Sequence, residues 1–182
     1  NRCRRQRQMC IRDRLKNLLV VDLTRVLVGP YCTMILSDLG ARVIKVEAPE
    51  IGDDSRKFGP FIEDYSAYFM SLKRGKESIA LNLKNTDDKK IFDKILSKAD
   101  ILVENFKPGT LEKWGYGWKD VNKKYPKLIY ASASGFGQTG PLKELPAYDM
   151  VVQGMGGLMS VTGQPNSEPT RVGTSIGDIT AG

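Results

Sequence analysis

From Leu18 onward, short apolar runs alternate with segments that open on a proline or a capping residue, and this alternation constrains the fold more than any other feature. The runs are LLVVDL at 18–23, RVIKVE at 42–47, SIALNL at 78–83, ILVENF at 101–106 and LIYASAS at 128–134. They are too short for helices, and the first is apolar almost throughout, as a strand covered on both faces must be. Pro30 is placed as the first residue of a helix running to about Leu39, with Gly40 as its stop. Thr86 with Asp87 caps a second helix, whose Ile91, Ile95, Leu96 and Ala99 lie on one face. Strands and helices in turn predict an α/β fold with a doubly wound, mostly parallel sheet.

In such a sheet the ligand crevice lies at the carboxyl ends of the strands. The polar and glycine-rich stretches fall there: Asp22 to Arg25, Glu104-Asn105-Phe106, and Ser132 to Gly140. No Gly-x-Gly-x-x-Gly follows the first strand and no Gly-x4-Gly-Lys-Ser/Thr occurs, so neither a nicotinamide dehydrogenase nor a P-loop NTPase is supported. Gly115-Tyr-Gly117 lacks a third glycine and follows no strand. From Ala48 to Glu77 run about thirty residues rich in Gly, Pro, Asp and aromatics, too long for a plain connection and read as functional.

The chain has no histidine. Serine–histidine hydrolysis, Cys/His proteolysis, histidine-rich zinc sites and histidine acid/base steps are excluded within it, and no metal site is expected. Residues 1–14 carry six Arg and one Asp, a net +5 of the chain's +7, together with Cys3 and Cys10. This basic tail shows no periodicity and no signal-peptide core and is read as non-native, so its charge does not argue for nucleic acid. Cys32 is the one cysteine left, which precludes an internal disulfide in the body and suits a reducing cytoplasm. No apolar run approaches the roughly 18 residues of a membrane span. Residues 15–182 are expected to form one large domain. Its final stretch, Arg171 to Gly182, opens a helix that nothing follows, so the chain is read as truncated at its carboxyl end.

The residues alone leave several roles open. Asp178, after Gly177, is either an N-cap or an exposed carboxylate available as a nucleophile. Asp149 is read as a cap. Lys73, Arg74 and Lys76 are either a solvated basic face or a phosphate seat. Asn105-Phe106 either turns the chain or stacks on and hydrogen-bonds an adenine or a pantetheine amide. Met150 to Met159 is read as a packed helix.

Taken in order, these stretches resemble the amino-terminal part of the class III coenzyme A transferases. They are Asp22-Leu-Thr-Arg-Val-Leu-Val-Gly-Pro30, Leu39-Gly-Ala-Arg-Val-Ile-Lys-Val-Glu47, Gly52-Asp-Asp54, Lys76 with Ser78-Ile79, Val103-Glu-Asn-Phe106, Pro108-Gly109, Ser134-Gly-Phe-Gly-Gln-Thr-Gly-Pro141, Tyr148-Asp149 and Gly177-Asp178. The resemblance implies a Rossmann-like large domain and an interlocked homodimer. It implies an enzyme that moves coenzyme A between an acyl-CoA thioester and a small carboxylic acid, with no cofactor beyond the CoA thioester substrate. Asp178 becomes the catalytic carboxylate, which forms a mixed anhydride with the donor acyl group and then an aspartyl-CoA thioester. Arg25, Val26, Leu27, Val28, Lys76, Asn105, Phe106, Lys113 and Phe136 become the CoA-binding positions, with Lys76 a phosphate contact. Lys113 and Ala48 stand where some members carry other basic contacts, and a lysine there loses the bidentate fork of an arginine. The related α-methylacyl-CoA racemases pair the aspartate with a histidine where this chain has Tyr148, so transfer is favoured over racemisation.

Overall fold

A computed structural model describes residues 14–182. Apart from Arg14, the basic tail lies outside the described residues. Five parallel strands form the central sheet: β1 (Leu19–Asp22), β2 (Arg42–Glu47), β5 (Glu77–Ala80), β6 (Ile101–Glu104) and β7 (Ile129–Ser132). A separate antiparallel ribbon pairs β3 (Phe61–Ile62) with β4 (Tyr65–Ser66). The order across the main sheet is β5-β2-β1-β6-β7. The chain starts in the middle, winds outward through β2 and β5, and returns to the other side of β1 for β6 and β7. The reversal falls between β1 and β6, where Val20 sits opposite Ile101 and Asp22 opposite Val103. The doubly wound parallel sheet is the predicted one.

The period-two alternation of β1 divides the core. Val21 faces one layer with Val46, Leu102 and Leu111, packed under Phe92 and Leu96 of α3 (Thr86–Leu96) and near Tyr116 and Val121. Val20 faces the other layer with Val43, Val103 and Ala41. Leu111 belongs to α4 (Thr110–Trp114) and Val121 to α5 (Trp118–Lys124).

Helix boundaries depart from expectation for local reasons. The first helix, α1, spans Val28–Asp38, so Pro30 is its third residue, where a missing N–H still costs no intrahelical bond. Asn85 rather than Thr86 caps α3, its Oδ1 accepting from the N–H groups of Asp87 at 2.8 Å and Asp88 at 3.4 Å. Within that helix Phe92 is fully buried and Ile91 exposed. Residues 48–77, read as a functional loop, contain a 3-10 turn (Asp54–Lys57), the β3–β4 ribbon, α2 (Ala67–Lys73), which Ser66 caps by accepting from the Phe69 N–H, and the first residue of β5. Beyond β7 come α6 (Asp149–Met155), a second 3-10 turn (Leu158–Val161) and α7 (Ile176–Ala181). The stretch read as a packed helix is helical only to Met155, and Met150 and Met155 are exposed. No helix among the described residues is long and apolar enough to cross a membrane.

Candidate active site

The β1–α1 turn crosses the switch point and is fixed on both sides. Arg25 donates its N–H to Asn105 Oδ1 at 2.8 Å, and Asn105 Nδ2 returns a bond to the Arg25 carbonyl at 2.8 Å. The Arg25 guanidinium lies 5.1 Å from the centre of the Phe106 ring, and Phe106 meets Trp114 edge-on at 5.3 Å. The next residue, Val26, has φ +64°, a left-handed conformation that costs a β-branched side chain of order 1–3 kcal/mol. Its N–H donates to Asp53 Oδ1 at 3.1 Å. Gly29 completes the turn by proximity, since a Cβ there would fall 2.2 Å from Thr24 Cγ2.

Beside this turn a cavity of about 460 Å³ opens at the carboxyl ends of β1, β2, β5 and β6. Its apolar wall includes Leu23, Val46, Leu81, Leu83, Phe106 and Trp114, and Arg25, Lys84 and Asn82 add polar groups at its edge. The residues 48–53 that follow β2 form the remaining wall. An aromatic corner with two exposed cations suits a ligand that is part flat ring and part anion.

Beneath the turn lies a buried network of charges. Lys76 Nζ reaches Asp22 Oδ2 at 3.0 Å, the Pro30 carbonyl at 2.9 Å and Thr33 Oγ1 at 2.6 Å. Asp53 Oδ2 is shared by Lys73 at 2.8 Å and Lys45 at 3.3 Å, and Lys45 also donates to the Thr24 carbonyl. Burial raises the Asp53 carboxyl, but Lys73 and Lys45 together draw it well below the usual carboxylate range. Burial and the neighbouring Lys45 push Lys73 down to about 8 against the pull of Asp53. Glu47 accepts both arms of the Arg56 guanidinium at 2.8 Å and the Asp53 N–H at 2.9 Å, tying the loop to the end of β2.

Asp178 lies in the first turn of α7, three residues past Ser175, where that helix begins, and makes no ion pair among the described residues. It is half buried, and burial first and the Asp149 charge second raise its carboxyl. Asp149 caps this helix from outside, Oδ1 accepting the Gly177 N–H at 2.7 Å and Oδ2 the Gln153 amide at 2.7 Å. Gln153, buried, also accepts the Val172 N–H at 2.8 Å. The charges of Asp178 and Asp53 both raise the Tyr68 phenol, after burial, so Tyr68 stands between the two carboxylates' fields. The helix α7 packs on α1, and a Cβ on Gly182 would fall 2.3 Å from the Val28 carbonyl oxygen.

Of the residues singled out from sequence, Arg25 and Phe106 line the cavity and Asn105 holds Arg25. Val26, Leu27 and Val28 do not line the cavity: Leu27 is buried against Met34 and Leu72 with Val26 packed beside them, and Val28 is the first residue of α1. Lys113 is exposed on α4, and Phe136 is half buried in the turn after β7, away from the cavity walls. Lys76 differs most from expectation: its side chain is 1% exposed and spent on Asp22. Lys73 is likewise buried against Asp53, whereas Arg74 is exposed and pairs with Asp38 at 2.5 Å, so the two lysines belong neither to a solvated face nor to an open phosphate seat. Asp149 caps α7 and not its own helix. The cavity adds Leu81, Asn82, Lys84 and Trp114. The rule that ligands gather at strand ends points to the first three, but reading 78–83 as continuous strand hid Leu81 and Asn82, because β5 ends at Ala80.

The chain thus pairs a parallel doubly wound sheet, with an aromatic and cationic cavity near its switch point, with a separate carboxylate, Asp178, that makes no ion pair among the described residues. The CoA-transferase family III profile matches residues 15–182, and the chain belongs to that family. It is 55% identical over 91% of its length to an acetyl-CoA:oxalate CoA-transferase of Acetobacter aceti, covering 43% of that protein. It is 44% identical over 92% of its length to the human succinyl-CoA:glutarate CoA-transferase, covering 39% of it. A crystal structure of a CaiB/BaiF family protein from Brucella suis superposes with a TM-score of 0.86 at 43% identity, over 91% of this chain and 45% of that one. The chain thus spans about two fifths of the length of the curated relatives it matches.

Proposed function

We propose that the protein transfers coenzyme A from an acyl-CoA to a small carboxylic acid, with Asp178 as the nucleophile. The observation that carries this reading is the half-buried Asp178 carboxylate, free of any ion pair among the described residues, on a helix packed against the turn that leaves the cavity. The nucleotide end of CoA occupies the cavity, its base against Phe106 and Trp114 and its phosphates near Arg25 and Lys84. From Arg25 to Val28 is three residues, at most about 10 Å of chain, and Val28 already touches the helix of Asp178. The pantetheine arm follows that path.

The chemistry needs no proton-transferring side chain. A carboxylate oxygen of Asp178 attacks the thioester carbonyl, the C–S bond breaks, and CoA leaves as thiolate from a mixed anhydride. The thiolate then attacks the aspartyl carbonyl carbon, releasing the donor acid and leaving Asp178 as a CoA thioester. The acceptor carboxylate attacks that thioester and expels the thiolate. Attack of the thiolate on the acceptor's acyl carbon yields the new acyl-CoA and restores Asp178. Each oxyanion needs N–H donors, which backbone turns around the site supply. The names of relatives favour acetyl-CoA or succinyl-CoA as donor and a small dicarboxylic acid as acceptor. On this reading the full-length protein works as a homodimer in the cytoplasm.

The test uses the full-length protein with acetyl-CoA or succinyl-CoA, trapped by hydroxylamine and mapped by peptide mass spectrometry. A hydroxamate at Asp178, absent in Asp178→Ala, is the expected result. CoA binding with no adduct from either donor overturns the nucleophile assignment.

A further inference from the structure

Four non-glycine residues among those described have positive φ, and Val26 alone of them is β-branched. A strained residue of this kind persists only where its surroundings over-determine it. On one side Asn105 holds Arg25 through two bonds of 2.8 Å. On the other the holding group is a single oxygen, Asp53 Oδ1, which accepts the Val26 N–H at 3.1 Å. That carboxylate is itself immobilised. Its side chain is wholly buried, Oδ1 also accepts the Ser55 N–H at 3.0 Å and the Ser55 hydroxyl at 2.6 Å, and Oδ2 is anchored by Lys73 and Lys45. Immediately past Val26, Leu27 is the N-cap position of α1 and makes no side-chain cap bond, and Val28 meets Gly182 at the end of α7.

We infer that Asp53 is a positioning residue for the transfer reaction: by bonding the Val26 N–H it keeps the β1–α1 turn left-handed and so sets the first turn of α1 against the helix that carries Asp178. The inference rests on the transferase reading. Asp53 touches no reacting atom, and it acts through the backbone of Val26 and Leu27. Lys73 and Lys45 fix the carboxylate that does the holding, which explains why three charges are buried beneath one strained peptide.

The test is a double-mutant cycle in the full-length protein, with kcat for acyl-CoA and acceptor acid read per CoA-binding site. Asp53→Ala is expected to lower kcat about tenfold when Val26 is present, and about threefold or less when it is combined with Val26→Gly, because glycine holds a left-handed φ unaided. A carboxylate that merely balances the two lysines lowers kcat equally in both backgrounds, and that result overturns the inference. A loss from Asp53→Asn as large as that from Asp53→Ala also overturns it, since the amide keeps an oxygen for the Val26 N–H. Should Asp53→Ala fail to fold, the cycle is run on Asp53→Ala/Lys73→Met, which removes one of the two stranded charges and leaves Lys45 on the Thr24 carbonyl. A wild-type protein that binds CoA and transfers none overturns the transferase reading and this inference with it. An active wild type with uncoupled variants overturns this inference alone.

Discussion

At the scale of single residues, the two aspartates near the start of α7 divide the work. Asp149 is spent on the Gly177 N–H and the Gln153 amide, while Asp178 is left half buried and carries its neighbour's charge. A nucleophilic carboxylate acts only when ionised, and its ionised fraction falls as pH drops through its pKa. Because burial and Asp149 raise the Asp178 carboxyl, the acid limb of a log kcat profile is expected above the ordinary aspartate value of about 3.9. Asp149→Asn keeps an oxygen for Gly177 and removes the charge, so the limb should move to lower pH; a limb that stays in place shows that Asp149 does not tune the nucleophile. Two lysines, one expected from the resemblance to meet a phosphate and one found at the cavity edge, separate in the same way. Lys76→Met leaves Asp22 with one cation fewer in the core and is expected to cost about 3–5 kcal/mol in chemical denaturation, without weakening CoA binding in the folded protein. Lys84→Ala, at the exposed cavity edge, should leave stability within about 0.5 kcal/mol and weaken CoA binding roughly tenfold at low salt, less at high salt. Calorimetric titration with CoA separates the two, and the reverse pattern would return the phosphate contact to Lys76.

At the scale of elements, the packing of α3 carries the clearest prediction. Phe92 is fully buried and meets Tyr116 edge-on at 4.8 Å, so Phe92→Ala should cost about 3–5 kcal/mol, while Ile91→Ala on the exposed side should cost under about 1 kcal/mol. Equal losses in urea unfolding would mean that the helix is rotated from the position described. This pair also marks what local pattern can and cannot reveal. The strand RVIKVE coincides with β2 residue for residue, because a six-residue segment with three β-branched residues, bounded by Gly40 and Pro49, is too short for a competing helical period. Ile91 and Phe92 are adjacent and both apolar, so the side of α3 that faces the sheet depends on which one the sheet can accommodate. The segment 48–77 was legible as unusual and not as structured, because its shape depends on Asp53, whose partners Val26, Lys45 and Lys73 lie up to 27 residues away. The burial of Lys76 was not legible for the same reason: its partner Asp22 is 54 residues distant. Among the site residues, Arg25, Asn105 and Phe106 were legible because they directly follow strands, and Asp178 acquired its role from the resemblance.

At the scale of the whole molecule, the described surface is uneven. The sheet and its α3 side are closed by a continuous core, whereas the region from Leu142 to Val161 presents apolar side chains to solvent. Tyr148 is 82% exposed, Val161 80% and Met155 65%, with Met150, Val151, Val152 and Leu145 around them. Scattered apolar side chains are normal on a protein surface, but a cluster on one helix and its following turn favours association. These side chains contribute little to the stability of the chain itself, because they are not withdrawn from water within it. The 182-residue chain is therefore expected to self-associate with rising concentration in sedimentation velocity. Met155→Glu with Val161→Glu should place like charges on the patch, shift the distribution toward monomer, and change the unfolding free energy by less than about 0.5 kcal/mol each. Association that persists unchanged in that variant would locate the contact elsewhere, with the exposed β3–β4 ribbon, where Phe61, Ile62 and Tyr65 also face solvent, the next place to introduce charge.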